Sequence, residues 1–331
     1  MIYHCPTYIV PQTGVRGCLS SQRMLVSGLI MLVLLAFASP AAAQFAGGNG
    51  TAGNPYQISN LTQLQAMRDA PNTSHFILIN DIDATASSNM NSGQGFNPVG
   101  WFGGSFDGQG FTITGFTINR PGTYQSAMFS QVGANGVLRN VRFVNPVING
   151  GGRGAVMVGT TAGIIENITV VNGSVTTNGQ AGGIAGQIDV GGSGNNLSYQ
   201  GQVSGSDYTG GITGLLNSNA HLEDVSFNGS ITGNNRTGGI AGQNNSGSSI
   251  TGAEVTINLT SSGTRVGGVT GYNNQGNLSF DSVSGTVNGG DEVGGIAGRS
   301  EGWGSSITDS HFDGLVIGNT SVGGVVGFVN D

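Results

Sequence analysis

Over 331 residues the chain carries 62 glycines but only 8 prolines and 8% charged residues. Abundant glycine without a Gly-X-Y triplet excludes collagen, and sparse charge with a mean hydropathy of +0.02 excludes a solvated disordered chain. All ten basic residues are arginine, seventeen Asp and Glu outnumber them, and no basic cluster offsets the balance, so nucleic acid and anionic membrane are excluded as partners.

In chain order, residues 1–43 read as a secretory signal. Arg16 and Arg23 precede the apolar run from Met24 to Ala38, and Ala41-Ala42-Ala43 forms a small-residue cleavage site before Gln44. The run is short for a transmembrane helix of roughly 20 residues, so no stable span is expected in the mature chain, which is secreted or held at the cell surface. Met24 is an alternative start, leaving the leader without positive charge. Cys5 and Cys18 both leave with the signal, so stability must come from packing and hydrogen bonds rather than disulfides. The mature chain then keeps eight arginines against seventeen acidic residues.

Residues 44–125 read as the N-terminal entry and cap of a solenoid. Leu61, Leu64 and Met67 share a helical face over 60–68, with Asn60 and Gln63 at capping-box spacing. Phe76-Ile77-Leu78-Ile79 and Ile82 give the first buried strand, and 98–119 holds irregular strands that cover the end of the solenoid.

From 126 to 331 the chain repeats. The phrase Thr209-Gly210-Gly211-Ile212-Thr213-Gly214 has companions whose paired glycines are Gly182 and Gly183, Gly238 and Gly239, Gly267 and Gly268, Gly294 and Gly295, and Gly323 and Gly324. Successive steps are 28, 28, 29, 27 and 29 residues, and worn copies begin near Gly154 and Ser126. Between phrases lie alternating runs such as Leu222-Glu223-Asp224-Val225-Ser226-Phe227, which indicate strands with one buried face. This period predicts a right-handed parallel β-helix with about three strands per coil, in ten coils spanning roughly 45–50 Å. The few apolar side chains of one coil cannot offset the entropy of ordering its backbone, so each coil needs its neighbours. The glycine pair is expected to form a bend with positive φ and to let coils stack closely.

At these residues the chain resembles the GLUG-motif family, with Ile or Val where that family often has Leu. Asn54-Pro55-Tyr56-Gln57-Ile58, Asn80-Asp81-Ile82-Asp83 and Phe106-Asp107-Gly108-Gln109-Gly110 are similar to its entry motifs. The resemblance, over roughly 50–331, implies a right-handed β-helix in exported, mostly bacterial surface proteins. These include adhesins and the non-catalytic part of immunoglobulin-A-cleaving metallopeptidases.

Catalytic candidates are few. A His-Glu-x-x-His motif is absent, and His75, His221 and His311 lie far apart in sequence, so neither a metal nor a cofactor is expected. Asp81 and Asp83, two apart on a strand, share a face about 7 Å apart, a separation compatible with an inverting glycosidase. Their other reading is a plain strand end. Trp303, between glycines, is either a stacking residue for sugar or a corner packing residue. Asp107 reads as a turn residue. The chain stops at Asp331 just after a phrase, where an open coil would pair with another chain or continue in a longer product. The leading expectation is a non-enzymatic surface module for adhesion or cell-surface structure, meeting a host or cell-surface glycan or protein. The alternative is a polysaccharide-binding or polysaccharide-cleaving β-helix using Asp81, Asp83 or Trp303.

Overall fold

The computed structural model describes residues 44–330, so the expected signal segment with Cys5, Cys18 and the cleavage site before Gln44 lies outside the described residues. The chain is a parallel β-helix of about nine turns with only two short helices. A broad sheet of 17 strands, a narrow sheet of 8 and a third sheet of 9 run its length, every strand paired in parallel with its counterparts in adjacent coils. The expected tenth coil is missing for a physical reason. Residues 44–98 spend most of their length on a helix and loops and reach only the broad sheet, through Tyr56–Ile58, His75–Leu78 and Ile82–Asp83. The third sheet begins at Val99–Phe102.

The helix at Leu61–Ala66 obeys the capping chemistry of its sequence: Asn60 Oδ1 accepts from Gln63 N–H at 3.0 Å, and Gln63 Oε1 accepts from Ser59 N–H at 2.8 Å. Leu64 and Met67 are buried from it into the core, while 67–69 tightens into a 3₁₀ turn.

Inward side chains stack in columns, one residue per coil. One broad-sheet column runs Tyr56, Phe76, Phe106, Leu138, Ile165, Gly194, Leu222, Ile250, Leu278 and Ile307. A second runs Phe143, Val170, Tyr199, Phe227, Val255, Val283 and Phe312. The N-terminal third of the core is aromatic, with Phe102 and Phe129 at 4.8 Å between centroids and Phe96 and Phe116 at 5.0 Å.

The paired glycines keep out of the left-handed region, contrary to the expected positive φ. Their role is close approach alone. A Cβ on the first glycine of each pair would come within 3 Å of the carbonyl oxygen three residues on, as Gly210 would with Thr213. On the second it would meet the carbonyl of the matching glycine in the next coil: Gly183 meets Gly211, Gly211 meets Gly239, and Gly295 meets Gly324. Gly211 also lies against the Phe227 ring. The worn copies sit one residue off the sequence count, since Gly154 pairs with Ala181 and the glycine positions there are filled by Ala155 and Val156.

Left-handed non-glycine residues mark the bends instead, and two of their sets run through five or more coils. One set is Asn140, Asn167, Asn196, Asp224, Phe280 and Asp309, with φ of 54°, 53°, 50°, 52°, 57° and 50°. Each separates two inward residues three apart, as Asn140 separates Leu138 from Val141, so a bend between them is obligatory. Asn and Asp tolerate that conformation better than other L residues. The other set is Tyr208, Arg236, Arg265, Glu292 and Ser321, each two residues before a glycine pair.

Two interior columns turn polar toward the C-terminus. In the third sheet the order is Val132, Thr161, Ile188, Leu216, Asn244, Asn273 and Ser300. Asn244 Nδ2 donates to Asn273 Oδ1 at 2.9 Å, and Asn273 Nδ2 to Ser305 Oγ at 2.8 Å, so the buried amides satisfy one another. Asp281 is 1% exposed on the inner side; its Oδ1 accepts from Ala253 N–H at 3.0 Å and its Oδ2 has no partner. Burial pushes its carboxyl up from 3.8 to about 7, against the smaller opposing effect of the Ala253 N–H.

Gly211→Ala should unfold the solenoid or lower its stability by more than about 3 kcal/mol, because backbone and ring cannot both retreat. Gly324→Ala, whose added Cβ meets nothing within 4 Å, should leave the urea midpoint unchanged. The Asp281 carboxyl titrates above its unfolded value of 3.8, so its contribution is complete below about pH 4 and is lost as the pH rises through 7. Asp281→Asn should therefore remove a pH-dependent loss on the order of 4 kcal/mol between pH 4 and 8, read by denaturation at each pH.

Candidate functional site

Asp81 and Asp83 both point outward, with Ile82 buried between them, as alternation on a strand requires. Each carboxylate already has a fixed structural partner. Asp81 Oδ1 accepts from Thr112 N–H at 2.8 Å, tying one coil to the next. Asp83 Oδ1 accepts from Thr85 Oγ1 at 2.7 Å and Thr85 N–H at 2.9 Å, and these bonds hold its carboxyl below the usual range. An inverting glycosidase needs one carboxyl held protonated, and Asp83 is driven the other way.

Trp303 lies in a turn with 90% of its surface exposed, over a hollow of about 300 Å³ lined by Gly302, Gly304 and Ser305. His221 and His311 are exposed; His221 Nδ1 lies 2.9 Å from Ser249 Oγ, and His75 Nδ1 lies 2.8 Å from Ser105 Oγ. The register keeps the three imidazoles on separate coils.

Asp107 does more than make a turn. It is 5% exposed, and its carboxylate accepts from Arg139 Nε at 2.8 Å, Asn140 Nδ2 at 3.0 Å and Gln109 N–H at 2.9 Å. Burial pushes its carboxyl up, but these bonds together outweigh it and hold the group below its ordinary value. From there an amide ladder climbs the corner: Asn167 Nδ2 donates to Asn140 Oδ1 at 2.9 Å, and Asn196 Nδ2 to Asn167 Oδ1 at 2.8 Å. At the next rung Asp224 has no N–H to give, and the ladder stops. The ladder borders a surface hollow of about 540 Å³ lined by Gln109, Asn140, Arg142, Asn167 and Thr169.

The opposite corner carries charge and rings that sequence reasoning passed over. Its first outward column is Gln125, Arg153, Gln180, Tyr208, Arg236, Arg265 and Glu292. Beside it the third sheet presents Trp101, Gln131, Thr160, Gln187, Leu215, Gln243, Tyr272, Arg299 and Phe328. The last glycine of each phrase lets these strands fold tightly together. A Cβ at Gly242 would strike the backbone of Tyr208 and Arg236, and one at Gly271 that of Arg236 and Arg265. Guanidinium groups lie over rings: Arg153 over Tyr124 at 5.2 Å, Arg236 over Tyr208 at 4.6 Å, Arg265 over Tyr272 at 4.7 Å and Arg299 over Phe328 at 4.8 Å. Toward the C-terminus the charges are matched. Glu292 holds Arg265 at 3.2 Å and Arg299 at 3.0 Å, and Glu301 lies 2.7 Å from Arg299 Nε. Hydrogen bonds from Tyr272, Arg299 and Asn330 hold the Glu301 carboxyl below its usual range. A detectable signal existed: an Arg, Tyr or Glu two residues before four of the six glycine pairs, at the repeat's own period.

Parallel rungs, inward columns and outward polar corners define a β-helical repeat module. No family model matches the chain. Over 154 residues it is 34% identical to halomucin of Haloquadratum walsbyi, a match covering 44% of this chain and 2% of halomucin. Over 134 residues it is 37% identical to an Evansella cellulosilytica protein provisionally described as a Gly-rich membrane protein, covering 38% of this chain and 15% of that one. The chain thus spans only a small part of these relatives' own length. Among solved structures it is similar to a Bacteroides ovatus protein provisionally assigned as an immunoglobulin A1 protease, with a TM-score of 0.60, 24% identity and 87% of each chain covered. That likeness is one of fold.

The amide ladder should respond in opposite senses at its two ends. Asp107→Ala, leaving Asn140 and the Gln109 N–H without their acceptor and Arg139 with only Glu166, should lower stability by about 1–3 kcal/mol. Asp224→Asn, supplying the missing donor to Asn196 Oδ1, should raise it by about 0.5–1.5 kcal/mol. Urea midpoints of the two variants check both signs.

Proposed function

We propose that this chain is a non-enzymatic β-helical module of the GLUG type from an exported surface protein, and that it holds its host or cell-surface partner along the outer faces of the coils. The observation that carries this reading is the pair of outward corners, one with an amide ladder from Asn140 to Asn196 and the other with guanidinium groups laid over rings. Every apolar column meanwhile serves packing. Support also comes from the names of the relatives, a mucin and a membrane protein, which suit an extracellular or cell-surface place. The engagement of Asp81 and Asp83 with Thr112 and Thr85 speaks against hydrolysis.

A second reading, polysaccharide binding through a single stacking platform, is favoured by the exposure of Trp303 above its hollow. Whole-cell and glycan-array binding by the purified protein, with product analysis of each bound glycan, separates the readings. Binding without cleavage, retained in Asp81→Asn and Asp83→Asn, is the expected result. Cleavage lost in either variant would overturn the non-enzymatic reading, and binding lost in Trp303→Ala would select the second one.

A further inference from the structure

One aromatic side chain stands where the fold disfavours it twice over. Phe280 occupies the corner that other coils give to Asn140, Asn167, Asn196, Asp224, Gly252 and Asp309, with a φ of 57°. Asn, Asp and Gly accept the left-handed conformation, whereas a bulky side chain there is strained. Tyr208 and Arg236 share the strain, but they stack on each other at 4.6 Å. Phe280 stands apart from the core and is 65% exposed. A residue that costs the fold both strain and apolar exposure is the kind found where a ligand is gripped.

Trp303 is a second isolated ring, in the turn at the other end of the same short strand. That strand recurs on each coil. On the last three rungs its outward residues are Ser249 and Thr251, Asn277 and Ser279, and Ser306 and Thr308, in register. All six bear a hydroxyl or an amide and none a charge. On earlier coils the same columns hold Glu223, Glu166, Arg139 and Asp107. The uncharged three-rung patch therefore coincides with the two rings. Its groups are tied across rungs: Ser306 Oγ donates to Asn277 Oδ1 at 2.8 Å, and Thr251 Oγ1 lies 3.1 Å from Ser279 Oγ. Asn277 is exposed, and its Nδ2 is left for a ligand oxygen. Asp309 is six positions beyond Trp303 and one rung from Phe280, so the Cα atoms of Trp303 and Phe280 are at most about 20 Å apart.

We propose that this face binds a neutral oligosaccharide, stacked on Trp303 at one end and Phe280 at the other, with its hydroxyls on the polar patch between them. Sugars present apolar C–H faces to rings and hydroxyl edges to such a floor. A protein partner is held by apolar groups clustered in one desolvated centre, whereas here polar surface separates the rings. An anionic glycan finds no cation on the patch and meets the exposed Asp309 at its edge. A single sugar reaches one ring; an oligomer reaches both.

The two-ring site rests on the polysaccharide-binding reading of Trp303 and extends it from one platform to two. The test is titration of the purified protein with glucose and with hexamers of glucose, N-acetylglucosamine, mannose and galacturonic acid. At least one neutral hexamer should bind, with glucose and the acid hexamer weaker by about tenfold or more. Trp303→Ala and Phe280→Asn should each weaken that hexamer by about tenfold, and Phe280→Tyr should bind as the native protein does. Because Asn suits the left-handed corner, Phe280→Asn should also raise the urea midpoint, a combination that a packing role for the ring does not produce. A lowered midpoint, or unchanged affinity, in Phe280→Asn would overturn the two-ring site. If Trp303→Ala still loses the hexamer, the single platform survives; if it does not, that reading falls as well. Preference for the acid hexamer, or no binding of any neutral one, would overturn the ligand class. Cell binding that Phe280→Asn abolishes but saturating neutral hexamer leaves intact would assign the rings to a protein partner and overturn the glycan.

Discussion

The structure depends on one close approach, the carbonyl of each phrase's second glycine facing the space where its counterpart in the preceding coil would carry a Cβ. A side chain there would push successive coils apart, and every ladder hydrogen bond on that side would lengthen with it. The inward columns are satisfied only while coils stay in register, so backbone proximity at the glycine pairs and side-chain packing on the broad sheet are one constraint felt at two places. The outer corners inherit their order from it: residues far apart in sequence come to lie one rung apart, and a ladder of amides or arginines becomes possible.

The repeat itself was legible because six successive phrases keep glycine where the coils approach most closely, although an earlier coil carries Ala155 and Val156 there. The step of 27 to 29 residues, the Ile or Val after each pair and the alternating runs lead directly to parallel rungs and a single elongated core. The conformational role of the glycines was not legible. Glycine is required both by positive φ and by lack of space, and sequence cannot separate the two. The real bends were written nearby in Arg139-Asn140-Val141 and Glu166-Asn167-Ile168, where an Asn between inward residues three apart is the better mark of a left-handed corner. Tyr208 and Arg236 adopt the same conformation without belonging to a type that favours it, so only the fold reveals them.

Interior polarity shows a similar limit. Alternation locates a buried face but says nothing of its chemistry, and the change from Ile188 and Leu216 to Asn244 and Asn273 becomes visible only once register is known. The paired aspartates illustrate the converse. Their shared face was correctly read from spacing, yet the partners that occupy them, Thr112 and Thr85, include one that lies a coil away. Chemistry read along the chain missed the Arg–aromatic corner because its members lie a coil apart, as Arg236 and Tyr208 do, or on either side of a glycine phrase, as Arg265 and Tyr272 do.

The asparagine ladder has a sense as well as a length. Each amide passes its hydrogen toward the N-terminal coil, so the dipoles add, and the anion of Asp107 stands at the hydrogen-rich end much as a carboxylate does at the start of a helix. Such a row has grammar. A coil duplicated within 107–196 would be accepted only if its corner residue could both give and receive a hydrogen, whereas a coil duplicated beyond Asp224 would face no such rule. The corner thus marks where the rod's length is free to change between one version of the gene and the next, and where it is not.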